Sequence, residues 1–124
     1  MSQIESLMQA NLLEVFNERD PQLRRAAIDR TYAPDVRWTD DEGVNIGRAA
    51  LDAKAEQLQG GLGNLQFVAD GPVRQTTGFG YLAWHLVAAG DQSPVVSGFD
   101  VAIIRDDVIA ELYTVLTKSP ADQG

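Results

Sequence analysis

Apolar positions recur at three- and four-residue spacing in the first half of the chain and at two-residue spacing in the second. Helices are therefore predicted first and strands after them. Ile4, Leu7, Met8, Leu12, Val15 and Phe16 form one stripe of a first helix, and Asn11 is a polar side chain set inside that stripe. Asn17-Glu18-Arg19-Asp20-Pro21 breaks this helix and starts a second, with Asp20 as cap and Pro21 in the first helical position. The second helix is expected to run through about Tyr32, with Leu23, Ala27 and Thr31 on one side. Ala33-Pro34-Asp35 ends it, because the residue before a proline is pushed out of helical geometry.

Val36–Asp40 alternates and predicts a short strand with Val36, Trp38 and Asp40 on one face, followed by turn residues at Asp41-Glu42-Gly43. A third helix is expected from about Arg48 to Gln59, packing through Leu51, Ala55 and Leu58 and closed by Gly60, Gly61 and Gly63. No lysine-serine/threonine pair accompanies these glycines, so they do not form a phosphate loop. Four strand runs follow, near Leu65–Val73, Phe79–Ala88, Val95–Arg105 and Val108–Leu116. Short connections favour antiparallel neighbours. Helices followed by a run of strands give an α+β class with the helices on one face of the sheet. One domain over residues 1–118 is expected, with 119–124 a frayed tail.

Strand parity locates the polar residues that fall where burial is expected. Asp100 shares a face with Gly98, Ala102 and Ile104, while Phe99, Val101 and Ile103 take the other. Both faces are apolar, so Asp100 must be paired, hydrated by a cavity, or protonated with a raised pKa. Leu82, Trp84 and Leu86 alternate with Tyr81, Ala83, His85 and Val87. If Trp84 faces the helices, His85, the single histidine, points out of the opposite side. Leu112, Thr114 and Leu116 suit either the wall of an apolar pocket or an ordinary core.

Composition narrows the function classes. A net charge of −8, from 10 basic and 18 acidic residues, repels phosphate backbones and argues against nucleic-acid binding. With no cysteine and one histidine, disulfides, thiolate sites and zinc chemistry are not expected, and no metal or cofactor is implied. The absence of cysteine fits a reducing cytoplasm. No run approaches the ~20 apolar residues of a membrane span, and the N-terminus carries no export pattern.

The order of these parts resembles that of nuclear transport factor 2-like proteins, over about residues 5–117. Tyr32-Ala33-Pro34-Asp35-Val36-Arg37-Trp38-Thr39-Asp40 is similar to the strand after the family's second helix, and Gly47-Arg48 to the opening of its third. Leu82-Ala83-Trp84 and Gly98-Phe99-Asp100-Val101-Ala102-Ile103-Ile104 resemble two central strands of SnoaL-like members, and Ile109-Ala110-Glu111-Leu112-Tyr113 the closing strand. The resemblance implies a cystatin-like cone, in which three N-terminal helices pack on a strongly bent antiparallel sheet around a pocket for a small apolar ligand. Enzymes of this fold include ketosteroid isomerase, polyketide cyclases, limonene epoxide hydrolase and scytalone dehydratase; other members bind a ligand or assemble subunits.

Set against ketosteroid isomerase, the resemblance places Asp40 as general base and Asp100 as a protonated hydrogen-bond donor. Asn11 falls about where that enzyme's tyrosine donor sits. Trp38, Trp84, Leu82, Leu112, Thr114, Leu116 and Val15 would then form the pocket wall. No arginine lies on the Trp84 strand to complete an epoxide hydrolase set. Two readings remain: an acid–base enzyme moving a proton next to a carbonyl, or a non-catalytic ligand-binding or assembly module. Phe99, Val101, Ile103, Tyr113 and Val115 make the outer sheet face apolar, so a homodimer through it is expected under either.

Overall fold

Ser2 caps the first helix, its hydroxyl accepting from the Glu5 N–H at 3.1 Å. This helix, α1 (Gln3–Ala10), continues into a wider π-helical turn at Asn11–Phe16. Asn11, Leu12, Val15 and Phe16 are all buried in this wider turn, as their shared stripe predicts. Residues 2–88, 90–91 and 93–118 are described by the computed structural model; the expected frayed tail at 119–124 lies outside them.

Asp20 caps α2 (Pro21–Thr31) by accepting from the Gln22 N–H at 2.8 Å. The inward face of α2 differs from expectation. Leu23 is 58% exposed, and Arg24, Ala27, Ile28 and Thr31 are buried instead. Arg24 can turn inward because α3 (Arg48–Gly60) supplies partners for its guanidinium. Nε donates to Asp52 at 2.7 Å and Nη1 to the Gln59 side-chain oxygen at 2.8 Å. Gln59 takes the buried position near the end of α3 while Leu58 is exposed, again because the polar side chain finds partners.

Among the described residues seven strands follow or interleave: β1 (Tyr32–Asp40), β2 (Gly43–Ile46), β3 (Leu65–Ala69), β4 (Arg74–Thr76), β5 (Phe79–Ala88), β6 (Val96–Arg105) and β7 (Val108–Lys118). They form one sheet in the order β2-β1-β7-β6-β5-β3, with β4 also on β5. Two expectations need correction. The run Leu65–Val73 is not one strand: it stops at Ala69, Gly71 takes a positive φ of 93°, and the chain resumes as β4. The sheet is antiparallel except between β1 and β7, which run parallel. The short-connection rule covers strands adjacent in sequence, whereas β1 and β7 lie far apart in the chain and meet as neighbours inside an open sheet whose edges are β2 and β3.

Asp106 and Asp107, both at positive φ (53° and 67°), make the tight β6–β7 hairpin turn. Register shifts between Ser97 and Gly98, and between Ile103 and Ile104, bend this hairpin on either side of Asp100. The concave side so formed receives the helices. Leu82, Trp84 and Leu86 of β5, Ala102 of β6 and Leu112 of β7 join Met8, Leu12, Val15, Phe16, Ala27 and Ile28 in the core. Among the described residues no helix is long and apolar enough to cross a membrane.

Candidate functional site

Asp100 is the polar centre of the concave face. β6 turns Gly98, Asp100 and Ala102 inward, and Asp100 is 3% exposed. Three neighbours hold its carboxyl. Oδ1 accepts from the Thr114 hydroxyl at 2.8 Å and from the Trp84 indole N–H at 3.2 Å; Oδ2 accepts from the Asn11 amide at 2.8 Å. These donors come from β7, β5 and the π-helical turn, and all three are neutral. Burial pushes the Asp100 pKa up from 3.8 to about 6, against the downward pull of the Thr114, Trp84 and Asn11 hydrogen bonds. Three of about four lone-pair sites are used, which leaves one on Oδ2 uncommitted.

The network extends one step further on each side. Trp38 donates its indole N–H to Thr114 Oγ1 at 3.1 Å, so Thr114 receives from Trp38 and passes its own proton to Asp100. Tyr32, fully buried, donates its hydroxyl to Asn11 Oδ1. Burial, with the Asp100 charge adding to it, holds the Tyr32 phenol well above its ordinary pKa. Asn11 is therefore occupied at both ends of its amide.

Beside Asp100 opens a cavity of about 220 Å³. Trp38, Trp84, Thr114, Leu116, Asp40 and Asp100 line it, together with Phe16, Phe67, Leu86 and Val96, which the sequence patterns had not marked for this role. Asn11, Val15, Leu82 and Leu112 do not line it; they are buried in the core behind the wall. The cavity takes up only one end of the cone. Toward the other end α1 closes on the sheet so tightly that a Cβ on Gly80 would meet Met8 Sδ at 2.8 Å.

At the mouth, Asp40 is no free turn acid. Lys54 Nζ lies 2.5 Å from Asp40 Oδ2 and 3.1 Å from Glu42 Oε1, and it sits 5.2 Å from the centre of the Trp38 ring. The Lys54 and Asp40 side chains are 12% and 9% exposed. Burial pulls the Lys54 pKa down, but hydrogen bonds and charge from Asp40 and Glu42 outweigh it and leave the pKa raised. Lys54 had a sequence signal: it falls three residues after Leu51 and four before Leu58, on the apolar stripe of its helix. Tyr32, at the junction of α2 and β1, carried none.

His85 lies on the face opposite Trp84, bonded to Ser97 Oγ at 2.8 Å and 3.2 Å from Asp70 Oδ2, and it does not line the cavity. Among the described residues no group of three or more His, Asp or Glu side chains is placed to hold a metal ion.

No protein-family model and no curated protein sequence matches the chain. Solved structures do. A proposed isomerase of the SnoaL-like family from Agrobacterium tumefaciens C58 is 23% identical, with a TM-score of 0.86 over 95% of this chain and 100% of that one. A proposed SnoaL-like polyketide cyclase from Jannaschia sp. CCS1 is 18% identical, with a TM-score of 0.71 over 94% and 90%. A protein of ketosteroid isomerase-like fold from Catenulispora acidiphila, solved in complex with trimethylamine, is 13% identical, with a TM-score of 0.68 over 91% and 85%. The chain shares the fold of these proteins, an α+β architecture of the cystatin-like type.

Proposed function

We propose that the protein is a small-molecule pocket enzyme of the isomerase or cyclase type, in which a carboxyl group moves a proton next to a carbonyl of a small, largely apolar substrate. One observation carries this reading: Asp100, buried on the wall of an apolar cavity and held by three neutral donors, has a pKa of about 6. A carboxyl poised near neutrality can both take and return a proton, as general acid–base catalysis requires. The proposed isomerase and cyclase of the same fold support the reaction class, and the Catenulispora protein's complex with trimethylamine supports a small-ligand role.

The roles differ from those the resemblance implied. Asp100, with a free lone pair on Oδ2, is the proton acceptor. Asp40, held by Lys54, contributes charge at the mouth. Asn11 and Thr114 position the Asp100 carboxylate rather than the substrate. At about 220 Å³ the cavity is smaller than the ~300–1,000 Å³ of drug-sized sites, which favours a substrate well below the size of a steroid.

The test is α-proton exchange in D2O on a panel of small ketones, followed by NMR. Wild type is expected to accelerate exchange with a rise centred near pH 6, and Asp100→Asn to lose about a hundredfold or more. No acceleration by wild type on any ketone would leave the non-catalytic binding module as the better account. Either role is compatible with the proposed homodimer through the convex face. There Tyr113 and Val115 are exposed, beside their cross-strand partners Val101 and Phe99. Sedimentation should show a dimer that Val115→Arg converts to monomer.

A further inference from the structure

Six side chains close a circuit around the cavity. From Asp100 the path runs to Trp84 by a 3.2 Å hydrogen bond, then to Phe67 with ring centres 5.1 Å apart, and on to Phe16 at 6.3 Å. Phe16 meets Trp38 at 5.1 Å, Trp38 donates to Thr114 at 3.1 Å, and Thr114 returns to Asp100 at 2.8 Å. All six line the cavity. Both indole N–H groups are spent on the Asp100–Thr114 pair, so the two tryptophans and two phenylalanines offer a guest ring carbon and no hydrogen-bond donor.

The charge of this circuit is negative. Asp100 contributes a carboxylate whose three partners are neutral. Asp40, Asp41 and Glu42 add three more acids to the cavity lining, against the single Lys54, which does not line it. Lys54 already places its ammonium 5.2 Å from the centre of one of these rings.

We infer that the cavity binds a small organic cation, a tertiary or quaternary ammonium group of about trimethylammonium size, enclosed by the four aromatic rings with Asp100 as its counter-charge. Alkylated ammonium is weakly hydrated: a quaternary group needs no hydrogen-bond acceptor, and a tertiary one has a single N–H, which the uncommitted lone pair on Asp100 Oδ2 can accept. It gains most from desolvated ring faces with an anion nearby. A neutral guest of the same shape would shed the water around a buried carboxylate and give nothing back. This inference deepens the proposed function by naming a class of substrate, and it rests on that reading only in taking the cavity as the ligand site.

The pH dependence has opposite signs for the two kinds of guest. A cation requires ionised Asp100, whose pKa is pushed up to about 6, so cation affinity rises with pH through that value. A neutral guest favours the protonated carboxyl and binds better below it. The other titratable groups around the site are Tyr32 behind Asn11, held protonated by burial, and Asp40, Asp41, Glu42 and Lys54 at the mouth.

The chain's 2 tryptophans are both in the circuit, so their fluorescence reports occupancy. The experiment titrates wild type with choline chloride and, separately, with its uncharged isostere 3,3-dimethylbutan-1-ol, at about pH 8 and about pH 5. Choline is expected to bind about tenfold tighter than the alcohol at the higher pH, and about tenfold tighter there than at the lower. Asp100→Asn should remove both differences. Phe67→Leu, which keeps every charge, should weaken choline severalfold and the alcohol little, and it stands in if the Asp100 variant does not fold. Equal or tighter binding of the alcohol, choline affinity indifferent to pH, or no saturable choline binding each overturns the inference. Exchange on neutral ketones without choline binding would sink the cation alone, whereas choline binding without exchange on any ketone would sink the proton transfer alone.

Discussion

Asn11 and Asp100 are 89 positions apart in the chain and 2.8 Å apart in the fold, the amide of one donating to the carboxylate of the other in a fully buried contact. Neither residue is placed well without its partner. Asn11 is a polar intrusion in a helical stripe, and Asp100 is a charge in a two-sided apolar strand. Asn11→Ala should therefore do two things. It should lower stability by about 2–3 kcal/mol above pH 7, because a hydrogen bond to a charged group is lost. It should also move the Asp100 titration above about 6, because one of the contacts holding that pKa down is gone. Urea unfolding and carboxyl-carbon NMR read the two effects separately.

Stability should fall as pH rises past the ordinary carboxyl range. Asp100 has a folded pKa of about 6 against an ordinary value of 3.8, so the native state holds a proton that the unfolded state has released. The contribution is complete below about pH 4, is lost between about pH 4 and 6, and amounts to about 3 kcal/mol. Asp100→Asn has no such term. The difference in unfolding free energy between variant and wild type should grow in the variant's favour across that window and then level off.

Gly98 is the residue that lets Trp84 reach Asp100. A Cβ there would lie 2.5 Å from the Val115 carbonyl oxygen and 2.8 Å from Trp84 Cζ2. The first contact is with backbone in a strand pair and cannot swing away. Gly98→Ala is expected to cost about 1–3 kcal/mol and to displace the indole from the carboxylate. A change in tryptophan emission in the folded state is the check.

Lys54 and Asp40 should be energetically coupled. Their side chains are mostly buried, so removing one leaves the other's charge partly uncompensated. In a double-mutant cycle, Lys54→Met and Asp40→Asn should each destabilise the protein and should together cost less than their sum. A coupling of about 1–2 kcal/mol is expected, above that of an exposed ion pair. A coupling near zero would mean that the mouth is solvated in solution.

Much of the frame is written locally. The cap at Asp20 and the alternation through Leu82-Trp84-Leu86 and Gly98-Asp100-Ala102 act over a few residues, so spacing alone reveals them. Parity showed that Asp100 needed partners. It could not show which ones, because Thr114, Trp84 and Asn11 arrive from three separate elements whose meeting depends on the bend of the sheet. The inward turn of Arg24 in place of Leu23 was illegible for a related reason. A helical wheel ranks residues by polarity, while burial of a guanidinium is decided by the partners waiting on another helix.

The sequence by itself determined the class of fold, the faces of the strands and the presence of one misfit carboxyl on an inner face, all consequences of short-range periodicity. Tertiary structure decided the parallel β1–β7 pairing, the exclusion of Val15, Leu82 and Leu112 from the cavity, the capture of Asp40 by Lys54, and the circuit of four rings that ends on Asp100. Those features depend on how far a sheet curves and where a helix comes to rest on it. Curvature is a sum over all seven strands and the side chains between the layers, so no local stretch of sequence encodes it.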